Sequence, residues 1–415
     1  MKRNLEDLTN KEFDVVVVGG GIYGACVAWD GALRGLSVAL VEKRDFGAAT
    51  SANSLKTIHG GLRYLQDGNL KLMRTMINER KAWLRIAPHL VHPLACIMPT
   101  YRTSTKNRWA LACALKLNDL VSFDRNWDLA PQKHLAGGRT ISKAACLAEV
   151  PGLASSEITG GALWSDARMY NSERLLISIL HSAVAQGAAI ANYVEAKRLL
   201  RNDERVHGVI AQDLLSGETF PIRGRVVINC TGPWTDTMLG PLKGSSPSRK
   251  FHLSTALNLV TRQIWPEQAV GFLSRPTSQN GDRSQPHSRM LFAAPWRQYS
   301  LFGTFHARFN GHPDEFSVSA RQIQGYLDEI NQAVPGAELT LDDVYHIHRG
   351  FLPAVSNQRA GEPVKLVRQG RVYNHEKEDK IGGLITVVGV KYTTARYVAQ
   401  QAVDVALQQM GKKTV

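Results

Sequence analysis

The feature that most constrains this chain is a glycine-rich turn directly after a run of four valines. Residues 15–18 predict a strand buried on both faces, because β-branched residues suit a covered, pleated sheet. Glycines follow in the spacing Gly-x-Gly-x-x-Gly. Gly19 permits the tight turn, Gly21 lets backbone N–H groups approach a pyrophosphate, and Gly24 lets the next helix pack closely on the sheet.

The residues after this turn complete a βαβ unit of the kind that binds a dinucleotide. A helix is predicted over 22–34, and its positive N-terminus would face the phosphates. A second strand, over 37–41, ends at Glu42, which lies 23 residues after Gly19. A carboxylate at that point accepts hydrogen bonds from a ribose. The pattern predicts dinucleotide binding but does not by itself distinguish FAD from NAD.

Length and composition favour a two-domain globular protein: the chain has 415 residues, of which 44% are hydrophobic. No uninterrupted apolar run reaches the roughly 18 residues that a membrane span needs. Residues 1–12 are charged and lack the apolar core of a secretory signal. The cysteines form no Cys-x-x-Cys pair, so we expect core residues in a reducing compartment, with no disulfide frame and no metal site. They are Cys26, Cys96, Cys113, Cys146 and Cys230.

The formal net charge of +14 indicates an anionic partner: a phosphorylated substrate, a membrane surface or nucleic acid. The excess is concentrated between residues 56 and 108, where ten Lys or Arg stand against two acids. The alternative interpretation of this excess is a basic protein surface that faces only solvent. No motif for RNA or DNA binding is visible, so no nucleic acid is expected.

A small, polar loop over 43–54 and the segment after it are suited to a cofactor. Hydroxyls and backbone donors in such a loop can face a bound ligand. The pair Gly60-Gly61 then allows close backbone approach. His59 stands beside the pair and is a candidate base or hydrogen-bond donor near neutral pH. The alternative is a structural hydrogen bond to the loop.

At this point the chain resembles the flavin-dependent glycerol-3-phosphate dehydrogenases, within the D-amino-acid-oxidase and glycine-oxidase class of FAD enzymes. The resemblance rests on the 19–24 turn, on residues 35–46, and above all on Ser54-Leu-Lys-Thr-Ile-His-Gly-Gly-Leu-Arg-Tyr-Leu65. It implies FAD as the cofactor. The implied cofactor contacts are Gly19, Gly21, Gly24, Glu42, Thr50, Ser51, Ser54, Lys56, Gly60, Gly61, Thr231, Gly232, Gly389, Lys391 and Thr393.

The predicted fold class is α/β, with a discontinuous Rossmann-like FAD-binding domain and a mixed or antiparallel α+β substrate domain. The FAD-binding domain is expected at 1–90, 151–240 and 346–415, and the substrate domain at 91–150 and 241–345. The FAD-binding domain is expected to contain a helix over 172–187, capped by Asn171 or Ser172, and a strand over 226–229. The substrate domain is expected to contain a linker near 244–248 and antiparallel strands at 256–261, 288–292 and 299–303.

The candidate catalytic residues are His59, Lys391 and Arg349. Lys391 follows a buried strand and precedes a helix, where it could bind the flavin or a substrate phosphate; the alternative is an exposed lysine. Arg349 is a candidate anion clamp. His346 and His348 share one face of a strand, but without a third ligand no metal is expected. In the family, an arginine that grips the substrate phosphate precedes the proline, and here that position is Leu352.

The predicted function is oxidation of glycerol 3-phosphate or a related phosphorylated polyol, by hydride transfer to flavin N5 with His59 assisting loss of the hydroxyl proton. Leu352 motivates an alternative on the same fold, in which an amino acid, amine or 2-hydroxy acid is oxidised. The charge of +14 motivates a third hypothesis, a basic flavin-containing binding subunit. Neither the electron acceptor nor the oligomeric state follows from the sequence.

Residues 107–123 form an apolar helical stretch with basic residues at Lys106, Arg108 and Lys116. One interpretation is a membrane contact, with the apolar face in lipid and the cations on headgroups. The other is a buried helix of the substrate domain. Under the first, we expect a cytoplasmic protein on the inner face of the membrane that passes electrons to a quinone. Under the second, it is a soluble enzyme using oxygen or a protein acceptor.

Overall fold

A computed structural model describes residues 2–102, 107–154, 156–240, 252–274, 289–355 and 364–413. Its strands in chain order are β1 (Glu12–Val18), β2 (Val38–Glu42), β3 (Thr57–Ile58), β4 (Val91–Tyr101), β5 (Arg139–Ser142), β6 (Ile158–Met169), β7 (Ala189–Asn192), β8 (Val194–Arg201), β9 (Val206–Asp213), β10 (Thr219–Asn229), β11 (His252–Arg262), β12 (Gln268–Ser274), β13 (Arg289–Trp296), β14 (Tyr299–Phe309), β15 (Val344–Ala354), β16 (Arg371–Asn374) and β17 (Leu384–Val388). The helices are α1 (Glu6–Thr9), α2 (Ile22–Leu33), α3 (Leu70–Ile86), α4 (Arg108–Val121), α5 (Lys143–Glu149), α6 (Ser172–Ala185), α7 (Thr235–Leu239), α8 (Ala320–Ala333), α9 (His375–Glu378) and α10 (Ala395–Gln409).

The first sheet has the order β16-β17-β10-β1-β2-β7. Strands β17, β10, β1, β2 and β7 are parallel, β16 is antiparallel at one edge, and the β8–β9 hairpin extends from β10. Helices α6, α2 and α10 pack beside one another on one face. This is the predicted Rossmann-like arrangement, built from three separate parts of the chain.

The valine run explains why β1 lies at the centre of this sheet. Val15 and Val17 pack into the cluster under α2, α6 and α10, whereas Val16 and Val18 pack into a second cluster on the opposite face. All four side chains are buried, because successive residues of a strand face opposite sides and both sides are covered. The prediction of a doubly covered strand is confirmed.

The second sheet has the order β15-β11-β14-β13-β12-β4-β6-β3, with β5 paired to β6. Strand β12 is parallel to β4, and the other pairs are antiparallel. Its core packs against α5 and α8. The predicted antiparallel strands at 256–261 and 299–303 lie in β11 and β14, and β13 covers 289–292. The predicted linker near 244–248, position 288 and Lys106 lie outside the described residues.

The strand pairing differs from the predicted division of the chain at three segments. Strand β3 falls in the predicted FAD-binding range 1–90, yet it pairs with β6 in the second sheet. Strand β6 was assigned to the FAD-binding part, yet it pairs with β3, β4 and β5 in the second sheet. Most of β15 was also assigned to the FAD-binding part, yet it pairs with β11. Strands β6 and β15 alternate buried and partly exposed positions, so the local pattern fits either sheet. The domain boundaries otherwise remain a prediction.

The predicted helix over 172–187 is α6. Asn171 is its N-cap and accepts a hydrogen bond from the backbone N–H of Arg174 at 2.9 Å. Gly187 follows the helix with a φ of +92°, as expected for a residue that ends a helix in the left-handed conformation. Within the described ranges, no helix is long and apolar enough to cross a membrane.

Candidate active site

A cavity of about 570 Å³ lies where the two sheets meet. Its volume falls in the range of roughly 300–1,000 Å³ that is typical of ligand pockets. Its wall combines the carboxyl ends of β1, β2, β10 and β17 with the loop after β2 and with residues of β11, β14 and β15. The predicted site residues that line it are Gly19, Gly21, Glu42, Thr50, Ser51, Ser54, His59, Thr231, Gly232, Gly389, Lys391 and Thr393.

Close backbone contacts explain why the turn after β1 needs glycine at positions 19 and 24. Gly19 has a φ of +105°, and a Cβ there would lie 2.6 Å from the carbonyl oxygen of Cys230. A Cβ on Gly24 would lie 1.9 Å from the carbonyl oxygen of Gly19. Gly24 does not line the cavity; it lets α2 pack against the turn, which is the packing role predicted for it. Helix α2 begins at Ile22, so its positive N-terminus opens into the cavity.

Glu42 closes the other side of this turn. Its Oε2 accepts a hydrogen bond from the backbone N–H of Gly20 at 2.7 Å, and its Oε1 accepts one from Arg44 at 2.8 Å. The carboxylate is therefore fixed at the cavity edge, at the end of β2, where the sequence places a ribose contact.

The loop after β2 is held by both sheets. Ser51 Oγ accepts from the backbone N–H of Ile22 at 2.9 Å. Thr50 Oγ1 accepts from the backbone N–H of Phe351 in β15 at 3.1 Å. Asn258 of β11 donates to the carbonyl of Asn53 at 3.3 Å. These contacts fix the hydroxyls and backbone of the loop along the cavity.

The end of β17 is organised around Tyr23, which sequence reasoning missed. Its hydroxyl accepts from the backbone N–H groups of Val390 and Lys391 at 3.0 Å and donates to the carbonyl of Lys391 at 2.7 Å. A Cβ on Gly389 would lie 2.2 Å from the Tyr23 ring. Only a glycine allows this approach.

The cavity wall fits an extended dinucleotide such as FAD, because it presents in turn a helix N-terminus, a carboxylate, hydroxyls and backbone groups.

His59 is fixed by a buried carboxylate. Its Nδ1 lies 3.0 Å from Oδ2 of Asp166, whose side chain is 5% exposed, and its backbone N–H donates to Thr393 Oγ1 at 3.2 Å. The other ring edge faces the cavity, because the side chain remains 40% exposed and lines the wall. Asp166 also accepts from the backbone N–H of Gly60 and from Arg80, each at 2.6 Å. Burial alone would raise the pKa of Asp166, but the bonds to His59 and Gly60 and the charge of Arg80 hold it well below its usual range.

Lys391 lies in the cavity wall among other cations. Burial, together with the positive charges of Arg63 and Arg368, lowers the pKa of Lys391 to about 8. Its Nζ donates to the carbonyl of Arg368 and lies 5.0 Å from the centre of the Tyr64 ring. The carbonyl of Arg368 also accepts from the Tyr64 hydroxyl at 3.3 Å. The guanidinium of Arg368 is itself paired with Asp67, so Lys391 is the cation that lies in the cavity wall at this end.

Lys56 does not line the cavity, so its role as a cofactor contact stays a prediction. Its side chain is 2% exposed and points the opposite way. The ammonium donates to the carbonyl of Ala52 at 2.6 Å, to Ser172 Oγ at 2.8 Å and to Glu173 at 2.6 Å. Lys56 therefore ties the cofactor-side loop to the N-terminus of α6. Its sequence neighbours Leu55 and Thr57 do line the cavity.

Gly60 and Gly61 do not line the cavity either, so their contacts to the cofactor stay predictions. A Cβ on Gly60 would lie 2.3 Å from Nη1 of Arg80, so the missing side chain makes room for a guanidinium. Gly61 has a φ of +84° and precedes a short 3₁₀ turn over Leu62–Leu65. The glycine pair therefore supports His59 from behind.

Arg349 does not line the cavity that holds His59, so its catalytic assignment stays a prediction. It is exposed, donates to the carbonyl of Phe316 at 3.2 Å, and lines an adjoining cavity of about 420 Å³ that shares Thr50 and Phe351 with the main one. Leu352, three residues further along β15, does line the main cavity. His348 is buried with Nδ1 3.1 Å from the carbonyl of Ser54, and burial lowers its pKa to about 4. In the described part of the chain, no cluster of His, Cys, Asp and Glu could hold a metal ion.

Comparison with known proteins agrees with this geometry. Residues 14–391 match the family described as FAD dependent oxidoreductase. The chain is 34% identical to a glycerol-3-phosphate dehydrogenase of Synechocystis over 413 residues, covering 97% of this chain and 71% of the relative. It is 32% identical to the mitochondrial glycerol-3-phosphate dehydrogenase of Bos taurus over 416 residues, which are 96% of this chain and 53% of the relative. The chain thus spans about half the length of the mitochondrial relative.

A solved structure supports the fold. The glycerol-3-phosphate dehydrogenase of Bacillus halodurans, crystallised with FAD, superposes with a TM-score of 0.74 at 24% identity, covering 99% of this chain and 67% of that one. The family match, which spans most of the sequence, places the glycine turn, the cofactor-side loop and the end of β17 inside one matched region. The chain belongs to the family of FAD-dependent oxidoreductases.

Proposed function

We propose that this protein oxidises glycerol 3-phosphate, or a closely related phosphorylated polyol, with FAD bound in the main cavity. The observation that carries the proposal is that His59 and Lys391 lie in the same cavity wall. Bound FAD supplies the two-electron acceptor for the hydride that leaves the hydroxyl-bearing carbon. The relatives named above as glycerol-3-phosphate dehydrogenases support the same substrate.

His59 is the base in this proposal. Oxidation of an alcohol to a ketone releases the hydroxyl proton, and an imidazole at the cavity wall is suited to accept it near neutral pH. The backbone bond to Thr393 and the side-chain bond to Asp166 hold the ring in place. General-base catalysis of this kind typically contributes about 10²- to 10⁴-fold to the rate.

Lys391 is the substrate anchor, together with the nearby guanidinium groups of Arg63 and Arg368. A phosphate dianion beside Lys391 would offset the mutual repulsion of these cations, which is one cause of the lowered pKa of Lys391. Phosphate binding at this cluster does not need an arginine at position 352. Leu352 lies in the wall of the same cavity.

A second candidate is oxidation of an amino acid, amine or 2-hydroxy acid on the same fold. Leu352 favours it, because the chain lacks the family's phosphate-binding arginine at that position. A carboxylate carries less charge than a phosphate dianion, so a smaller cationic cluster would satisfy it.

Anaerobic bleaching of the bound flavin distinguishes the two candidates. The purified protein is expected to be yellow, and glycerol 3-phosphate at low concentration is expected to bleach it. Lys391→Met should weaken binding of glycerol 3-phosphate, whereas the matched control Lys377→Met, at an exposed position of α9, should not. A colourless protein that cannot be reconstituted with FAD, or bleaching by carboxylate substrates alone, contradicts the proposal.

We further propose that the protein contacts the inner face of a cytoplasmic membrane and passes electrons to a quinone there. The support is an exposed apolar surface on and after α4, formed by Trp109, Leu120, Phe123 and Trp127, which are 82%, 70%, 64% and 60% exposed. Only Leu111 and Leu115 of α4 are buried, so this helix has a core face and a second apolar face. Exposed aromatic groups near basic residues are typical of helices that lie in the headgroup region.

Co-sedimentation with anionic liposomes tests the membrane proposal. Binding is expected at low salt and is expected to weaken at high salt, because each cation near the surface adds about 1 kcal/mol. Since Trp109 is exposed, Trp109→Asp should fold normally and lose binding. The proposal is wrong if the wild-type protein stays in the supernatant at both salt concentrations. Oxygen or a protein acceptor would then take the place of the quinone.

A further inference from the structure

We propose that Asp166, itself held by Arg80, is a positioning residue that fixes the tautomer of His59 and so leaves Nε2 free to accept the substrate proton. This inference rests on the proposed role of His59 as the base. Asp166 lies behind His59 and does not line the cavity, so it acts through the imidazole and not on the substrate.

Every described partner of the Asp166 carboxylate other than His59 is a hydrogen-bond donor. Oδ1 accepts from the backbone N–H of Gly60 and from Nη1 of Arg80, each at 2.6 Å. Oδ2 accepts from the indole N–H of Trp164 at 3.3 Å and lies 3.0 Å from Nδ1 of His59. Because Gly60 and Arg80 can only donate to Oδ1, the carboxylate must accept there. The hydrogen bond and charge of His59, the charge of Arg80 and the backbone bond of Gly60 lower the pKa of Asp166 despite its burial, so the group is an ionised acceptor.

The tautomer of His59 follows from this arrangement. An ionised carboxylate only accepts, so the 3.0 Å contact requires a hydrogen on Nδ1 of His59. In the neutral imidazole the lone pair then lies on Nε2. When the substrate hydroxyl is oxidised, its O–H bond breaks and the proton forms an N–H bond at Nε2, while the hydride and its electron pair reduce bound FAD.

Arg80 keeps Asp166 in the orientation that this role needs. Its guanidinium is 3% exposed and also donates to the carbonyl of Ser165 at 2.7 Å. It reaches the carboxylate only because position 60 has no side chain, as a Cβ on Gly60 would lie 2.3 Å from Nη1. The segment that carries the base, Ile58 to Gly61, is thus built around a buried ion pair. On its other sides, His59 meets the edge of the Phe292 ring, with centroids 6.1 Å apart.

The cations on this side of the cavity do not compete for this role. Lys391 lies in the same wall as His59, and the charges of Arg63, in the 3₁₀ turn after Gly61, and of Arg368 act on Lys391. None of them can accept the Nδ1 hydrogen, because lysine and arginine cations only donate. Asp166 is the acceptor that the described residues provide for His59.

The test uses the FAD-loaded protein and Asp166→Asn. The amide can donate its N–H₂ to Nδ1, which favours the opposite tautomer with the hydrogen on Nε2. In anaerobic rapid mixing with glycerol 3-phosphate, the rate of flavin reduction at saturation is expected to fall by about 10²- to 10⁴-fold. The dissociation constant of the substrate should change little, because Asp166 does not contact the cavity. Asp166→Glu, which keeps an ionised acceptor, should recover part of the rate.

Asp124→Asn is the matched control. Asp124 is also largely buried and paired with cations, Arg74 at 2.5 Å and Lys81 at 3.1 Å, but it lies away from the cavity. Its loss should lower stability and leave the reduction rate of the folded, flavin-loaded protein unchanged. A purely structural role for Asp166 predicts the same behaviour for both variants, so equal reduction rates would overturn the proposal.

A spectroscopic measurement on the wild-type protein keeps the test independent of any folding defect. In protein labelled with ¹⁵N-histidine, the His59 ring is identified by the signal that His59→Gln removes. The proposal predicts a hydrogen on Nδ1, and a hydrogen on Nε2 alone would overturn it. The tautomer can be read without substrate, so failure of glycerol 3-phosphate to bleach the wild-type flavin contradicts the proposed function and not this inference.

Discussion

The lowered pKa of Lys391 makes substrate affinity depend on pH in a specific direction. Burial and the charges of Arg63 and Arg368 favour the neutral amine, so Lys391 is a cation below about pH 8 and loses its proton above it. If Lys391 anchors the phosphate, the dissociation constant of glycerol 3-phosphate should be flat from about pH 7, where the substrate phosphate is already a dianion, to about pH 8. Above that pH it should rise by up to about tenfold per pH unit, since one pKa unit corresponds to about 1.4 kcal/mol.

Lys391→Met removes this dependence together with the anchor. A hydrogen bond to a charged group contributes about 2 kcal/mol, which corresponds to roughly 30-fold in affinity. The variant should therefore bind glycerol 3-phosphate about that much more weakly at pH 7, with a flat profile through pH 8–9. The assay is anaerobic titration of flavin bleaching at several pH values, with Lys377→Met as the control. If Lys391→Met keeps the wild-type affinity and the wild-type pH profile, Lys391 is not the anchor.

Three further substitutions test the roles that the structure assigns. Gly24→Ala places a Cβ 1.9 Å from the carbonyl oxygen of Gly19, so we expect a loss of about 1–3 kcal/mol of stability and lower flavin content. The control Gly31→Ala lies in the same helix, where its Cβ would meet only the side chains of Val38 at 3.1 Å and Leu36 at 3.9 Å, and it should retain flavin. Thermal denaturation and flavin absorbance measure both variants. Lys56→Met removes the three hydrogen bonds of a buried ammonium, so it should lower the free energy of unfolding by about 2–3 kcal/mol and release FAD more readily on gel filtration. Unchanged FAD retention would show that the loop does not need the Lys56 contacts. Arg349→Ala, at an exposed position outside the main cavity, should keep the substrate affinity within about twofold of the wild-type value. A larger loss of affinity in the bleaching titration would show that Arg349 contributes to substrate binding.

The FAD-binding framework could be predicted because its signals are local. Four consecutive valines, the 19–24 glycine spacing and the acid at the end of the next strand all fall within one βαβ unit. The strand after Gly383 and the turn at 389–393 could be placed with it because a buried apolar run there leads into a helix. In each case the residues that determine the structure are neighbours in the sequence, so a pattern reveals them.

The support behind the site could not be predicted, because it depends on contacts between distant residues. His59 and Asp166 are 107 positions apart, and Lys56 meets Glu173 across 117 positions. Nothing in a run of alternating residues in β6 marks Asp166 as a partner of a histidine. Arg349 shows the converse problem: its residue type and adjacent glycine suggest an anion clamp, but in the folded chain it lines the adjoining cavity and not the one that holds His59.

Glycerol 3-phosphate deuterated at its hydroxyl-bearing carbon tests the central claim most directly. Under anaerobic rapid mixing with the FAD-loaded protein, we predict that the flavin bleaches, that it bleaches more slowly than with the protiated substrate, and that the ketone product has lost the deuterium. That result requires cleavage of this C–H bond to be coupled to flavin reduction. The account is contradicted if glycerol 3-phosphate leaves the flavin oxidised while a carboxylate substrate bleaches it, or if the deuterium remains in the product.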